Sequence, residues 1–154
     1  MSPDAPSDVY LHAGQVFASG DPCSLCTIVG SCVAVFLVDV EGGVGGACHY
    51  LLPCQARGQV ASARFGDVAI GEALSRVLDL GGRRDRLCAK VFGGASLLLG
   101  PRGPAPSLGA KNVEVARRVL EAEAIPVVGE DVGGVTGRKL VFEPTAGHVW
   151  VKRL

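Results

Sequence analysis

Cys32 closes the run Thr27-Ile28-Val29-Gly30-Ser31-Cys32 and opens the apolar stretch Val33-Ala34-Val35, with His49 one short hairpin downstream. A thiol with an ordinary pKa of about 8.5 is only a few per cent ionised at neutral pH, so an efficient nucleophile needs an imidazole to take its proton. His49 is placed to do so. Gly30 and Ser31 let a substrate carbonyl approach the main chain, where the Cys32 amide can hold a developing oxyanion. A third group must fix the imidazole tautomer; Thr27 is the local polar candidate, and Ser31 is nearer in sequence.

The elements that must carry these residues form a hairpin. If the chain turns through Val40-Glu41-Gly42-Gly43, Asp39 lies opposite Val44, Ala34 opposite His49 and Cys32 opposite Leu51. Side chains two apart share a face. Cys32 and His49 are then diagonal neighbours, about 7–8 Å apart at the backbone, a gap that a thiol and an imidazole can largely close. A slip of one residue would put them on opposite faces.

Around the hairpin the pattern predicts a strand over Gln15–Ala18, a helix carrying Phe65, Val68, Ala69, Ala73, Val77 and Leu78 and stopped by Gly81-Gly82, and a buried strand over Leu87–Phe92. Leu97–Leu99 continues apolar, and the Pro-rich stretch Gly100–Leu108 reads as a mobile surface loop. A second helix carries Val113, Ala116, Val119, Leu120 and Ala124. Strands follow at Val127–Glu130, Lys139–Phe142 and His148–Lys152, the last two joined by a turn at Pro144-Thr145-Ala146-Gly147. The fold class is α+β: a mixed, mainly antiparallel sheet or sandwich core of at least six strands, flanked by two or more helices.

One domain over residues 1–154, with 1–8 a flexible lead, fits the length. Hydrophobic residues make up 48% and charged residues 19% of the chain, and the formal net charge is zero. That balance argues against disorder and gives no electrostatic case for nucleic acid or a membrane surface. No export signal and no apolar run of membrane-spanning length are legible, which points to the cytoplasm and to reduced cysteines. Cys23-Ser24-Leu25-Cys26 has zinc-pair spacing that Cys48, His49 and Cys54 could complete, although a second C-x-x-C or an H-x-x-x-H is missing. The Arg83-Arg84-Asp85-Arg86 run reads as a solvated loop, and Gly133-Gly134 as a turn.

Gly30-Ser31-Cys32-Val33-Ala34-Val35 followed by His49-Tyr50-Leu51-Leu52-Pro53 resembles the CheD family of bacterial chemotaxis. Phe65-Gly66-Asp67-Val68-Ala69-Ile70, Lys90-Val91-Phe92-Gly93-Gly94-Ala95, Leu108-Gly109-Ala110-Lys111-Asn112 and Asp131-Val132-Gly133-Gly134-Val135-Thr136-Gly137-Arg138 resemble further family segments in the same order. Lys111 stands where the family has arginine, and Phe65 where it has tyrosine. The resemblance implies a cysteine amidohydrolase that converts glutamine side chains of the chemoreceptor cytoplasmic domain to glutamate through a thioester, releasing ammonia, with no metal or organic cofactor. Its catalytic cysteine, histidine and threonine carry over to Cys32, His49 and Thr27. It also implies a CheC-type phosphatase as a partner. Two other readings of the chain are a non-catalytic regulator that binds receptor or phosphatase, and a cysteine-rich zinc module.

Overall fold

The computed structural model describes residues 4–96 and 106–154. The apolar run at 97–99 and the loop over 100–105 lie outside the described residues, as do residues 1–3 of the N-terminal lead. Among the described residues nine strands and two α-helices are seen in this order: β1 (Val9–Tyr10), β2 (Val16–Ser19), β3 (Leu25–Val29), β4 (Val33–Asp39), β5 (Val44–Tyr50), α1 (Gly66–Asp79), β6 (Cys88–Gly93), α2 (Leu108–Ala122), β7 (Val127–Val132), β8 (Arg138–Glu143) and β9 (His148–Arg153).

The strands form two sheets, β1-β3-β8-β9 and β2-β5-β4-β6-β7. Every neighbouring pair is antiparallel except β1 with β3 and β6 with β7. The expected α+β class, mixed and mainly antiparallel, is the one observed. Both helices pack on the five-stranded sheet, α1 against β2, β5 and β4, and α2 against β6 and β4. The four-stranded sheet covers its other face, so the molecule has three layers.

β4 explains the layering. All seven of its residues are buried, as near-continuous apolarity requires of a strand enclosed on both faces. Val33, Val35 and Leu37 join the helix-facing core with Ala69, Ile70, Ala73 and Val77 of α1. Ala34, Phe36 and Val38 face the other way into an inter-sheet core with Leu25, Val29, Leu140 and Phe142. Phe36 stacks on Phe142 with ring centroids 4.3 Å apart. Burying each such large side chain contributes roughly 1.5–3 kcal/mol. On β5, a Cβ at Gly45 would lie 2.2 Å from the Pro144 carbonyl oxygen and one at Gly46 2.6 Å from Val77. Glycine is therefore what lets both neighbouring layers close on this strand.

Several expectations shift in detail. β3 was not among the expected strands, yet Leu25, Thr27 and Val29 alternate inward between the turn at Gly20-Asp21-Pro22 and the Gly30 bend. α2 begins at Leu108, because the Ser107 hydroxyl accepts the Ala110 N–H at 3.1 Å and caps it there. Ala124 falls beyond its end, at φ 57°. The Arg83–Arg86 run is not merely solvated: Arg86 Nη2 pairs at 2.9 Å with Asp39, whose carboxylate is fully buried and also accepts the Gly42 and Arg83 amides. Those donors hold the Asp39 carboxyl below the usual range against the opposing effect of burial.

Candidate active site

Register decides whether a thiol and an imidazole can meet here. Ala34 pairs with His49 and Val33 with Tyr50 across β4 and β5, the register expected from the Val40–Gly43 turn. Alternation then turns Cys48 and Tyr50 into the helix-facing core, and His49 and Ala47 toward the inter-sheet side. Cys32, one residue ahead of β4, keeps the parity of Ala34 and packs against the inter-sheet core. The two groups face the same layer.

The four-stranded sheet supplies the third group. Thr27 is buried on β3, and its Oγ1 lies 2.8 Å from His49 Nδ1 and 2.7 Å from the Leu11 carbonyl oxygen. A carbonyl carries no hydrogen, so the hydroxyl proton must point at Leu11. Thr27 Oγ1 therefore accepts from His49, which puts the imidazole hydrogen on Nδ1 and leaves Nε2 with its lone pair. Nε2 is buried with no hydrogen-bond partner among the described residues. Such an atom is the form a general base takes before its proton donor arrives. Ser31, the other tautomer-fixing candidate, instead sits half-exposed in the bend that carries the chain from one sheet to the other.

Gly30-Ser31-Cys32 forms that bend, and each of its carbonyls is held. The Gly30 oxygen accepts the Ala95 N–H at 2.9 Å, and the Cys32 oxygen accepts the Gly94 N–H at 2.9 Å. The Ser31 oxygen accepts Asn112 Nδ2 at 2.9 Å. Among the described residues none of the three amides donates to a main-chain carbonyl outside the helices and strands. Gly93 makes this possible: it adopts φ +112°, and a Cβ there would come within 2.2 Å of the Cys32 oxygen. Arg138, 2% exposed, braces the same strand end through the carbonyls of Gly93 and Gly133 and through Asp131.

Burial sets the resting protonation states. It pushes the Cys32 thiol above its ordinary value, with the residue's own amide pulling it back. It pushes His49 down to about 4, opposed by the Leu11 carbonyl and reinforced by His12. At neutral pH both groups are uncharged.

The proposed zinc ligands do not converge. Cys48 and His49 point to opposite faces of β5, and no group of three or more His, Cys, Asp or Glu side chains among the described residues is placed to hold a metal ion. The sequence reasoning missed two supports. The Leu11 carbonyl is a main-chain atom and leaves no residue-type signal. Asn112 lay within a recognised segment, but only the fold shows that its carboxamide reaches the Cys32 bend.

Comparison with known proteins places this site in context. Residues 51–153 match the family model described as CheD chemotactic sensory transduction. That match begins two residues past His49. A "Probable chemoreceptor glutamine deamidase CheD 1" from Anaeromyxobacter dehalogenans is 47% identical over 148 residues, covering 96% of this chain and 85% of the relative. Similarly named proteins from Trichlorobacter lovleyi and Sulfurimonas denitrificans are 38% and 36% identical over 94% and 93% of this chain, and 89% and 92% of their own lengths. Two-thirds of the chain on the family model and nearly all of it on these relatives, wrapped around a Thr27–His49 pair on the face of Cys32, settle its kinship: the chain belongs to the CheD family.

Proposed function

We propose that this protein is a cysteine amidohydrolase that converts glutamine side chains in the cytoplasmic domain of chemoreceptors to glutamate, acting in the cytoplasm as a single domain. The observation that carries the reading is the Thr27–His49 hydrogen bond, which leaves an unprotonated Nε2, without a partner among the described residues, on the side of the ladder that Cys32 faces. Such a nitrogen serves acyl transfer by a neutral thiol. Cys32 Sγ attacks the carboxamide carbon while its proton moves to His49 Nε2. His49 then gives that proton to the departing nitrogen, which leaves as ammonia, and the acyl group remains as a thioester. Water attacks the thioester, His49 takes one of its protons and returns it to sulfur, and a carboxylic acid is released. The amides of Gly30, Ser31 and Cys32 are the donors for the oxyanion formed in both halves.

Chemoreceptors enter as substrate from the names of the relatives, and a CheC-type phosphatase as a further partner from the family resemblance. The protein is incubated with a receptor cytoplasmic fragment, and peptide mapping follows the gain of about one dalton that accompanies each conversion, the Cys32→Ala variant serving as control. Wild type should convert specific glutamines, and Cys32→Ala should be slower by at least about a thousandfold. A wild type that binds the fragment and converts nothing would leave a binding protein in place of an enzyme.

A further inference from the structure

In a trans peptide the N–H points opposite to the C=O of the same plane. The Ser31 carbonyl and the Cys32 amide belong to one such plane, so whatever holds the carbonyl also aims the amide. Asn112 holds it. This residue lies on α2, is fully buried, and spends both Nδ2 hydrogens on main-chain oxygens, Ser31 at 2.9 Å and Leu51 at 3.0 Å. Leu51 stands one step beyond the last ladder pair, Val33 with Tyr50, in the place opposite Cys32. A single side chain thus spans the open end of the ladder and ties the residue before Cys32 to the strand that carries His49. The contact is anchored from below, because Tyr50 Oη donates to the Asn112 carbonyl.

The arrangement is not what packing alone would select. Asn112 Oδ1 is buried with no hydrogen-bond partner among the described residues. An apolar residue of similar volume would avoid that orphan acceptor, but it would release both carbonyls. Resting on the amidohydrolase reading, we propose that Asn112 is a positioning residue for the oxyanion donor: by fixing the Ser31 carbonyl it aims the Cys32 amide at the oxygen of the carbonyl under attack. His49 is held separately, by Thr27. Loss of Asn112 should therefore damage steps that pass through an oxyanion and spare the intrinsic reactivity of the thiol.

Two reagents separate these effects without any receptor. Acylation of Cys32 by p-nitrophenyl acetate passes through a tetrahedral oxyanion, whereas alkylation by iodoacetamide displaces iodide and forms none. Both rates are measured at Cys32 by peptide mass mapping, in wild type, Asn112→Ala and Leu120→Val. The last is a conservative change at a fully buried position farther along the same helix and controls for general loosening. In Asn112→Ala acylation should fall about ten- to a hundredfold while alkylation stays within about threefold of wild type. Equal falls in both rates, no fall in either, or the same selective loss in Leu120→Val would each overturn the assignment. Should Asn112→Ala fail to fold, nuclear magnetic resonance of the wild type still decides: both Asn112 side-chain amide hydrogens must be strongly protected from exchange, and rapid exchange of both removes the clamp. A wild type that is acylated at Cys32 but converts no receptor glutamine sinks the deamidase reading alone.

Discussion

Cys48 and His49 are neighbours on β5, and the ladder sends them into different worlds. Cys48 enters the helix-facing layer among Val35, Leu37, Ala73 and Val77, fully buried, where desolvation drives its thiol up to about 12. His49 enters the inter-sheet layer and meets the Thr27 hydroxyl. Cys32 borders the second layer at its edge, half-buried, with its own amide beside the sulfur. Two thiols within one hairpin therefore differ in reactivity through the layer each faces, one sealed by helices and one opened by the bend between sheets. The helix layer provides stability; the inter-sheet layer gives up some of it to hold a polar relay.

The sharpest way to expose that concession is pH. His49 takes up a proton near pH 6.5 in the unfolded chain but only near pH 4 when folded. Between those values the unfolded state binds more protons, so stability rises with pH through the window and is lost as pH falls through it, by as much as about 3 kcal/mol. Asp39 and Asp131 are held below the ordinary carboxylate value, so their losses come at still lower pH. Chemical denaturation of wild type at pH 7 and pH 4.5 should show the difference, and His49→Gln should flatten most of it. The same variant should slow glutamine conversion about a hundred- to ten-thousandfold, the usual share of a general acid–base. An undiminished slope in His49→Gln would mean that the buried imidazole is not what makes this layer acid-sensitive.

Thr27→Val comes next in size. Valine matches threonine in shape, so the inter-sheet packing is kept while the hydroxyl disappears. The Leu11 carbonyl then loses its donor and His49 Nδ1 its acceptor, which should cost roughly 1–3 kcal/mol of stability. Turnover should fall about ten- to a hundredfold with KM little changed, because the imidazole is still present while its tautomer and orientation are less firmly fixed. Full activity in a folded Thr27→Val protein would strip Thr27 of any catalytic part.

Which of these features could be read from the sequence follows from how local their causes are. The β4–β5 register is set by the Val40–Gly43 turn and the apolar alternation, both written in the hairpin itself, so the shared face of Cys32 and His49 was legible. β3 is obscured because it is short and buried at four of its five positions, so Leu25–Val29 shows no clear alternation of apolar and polar residues. α2 extends N-terminal to Val113, the first apolar position of its pattern, because Ser107 at the end of the Pro-rich stretch caps it. Asn112 is legible as a residue of the second helix, but its contacts are not, since they join α2 to Ser31 and Leu51, residues 81 and 61 positions away. The Leu11 acceptor and the held carbonyls of the bend are main-chain atoms, which residue types do not announce.

The smallest expected effect tests the quiet side of the comparison. Cys48→Ala removes one sulfur from the helix-facing layer, on the face of β5 opposite His49. The void is small and the surrounding aliphatic side chains can partly fill it, so unfolding should become easier by only about 1 kcal/mol. Deamidation measured well below the melting temperature should stay within about twofold of wild type. A large loss of turnover at unchanged stability would show that the helix layer reaches through β5 to the imidazole, and that the two faces of the ladder are not energetically separate.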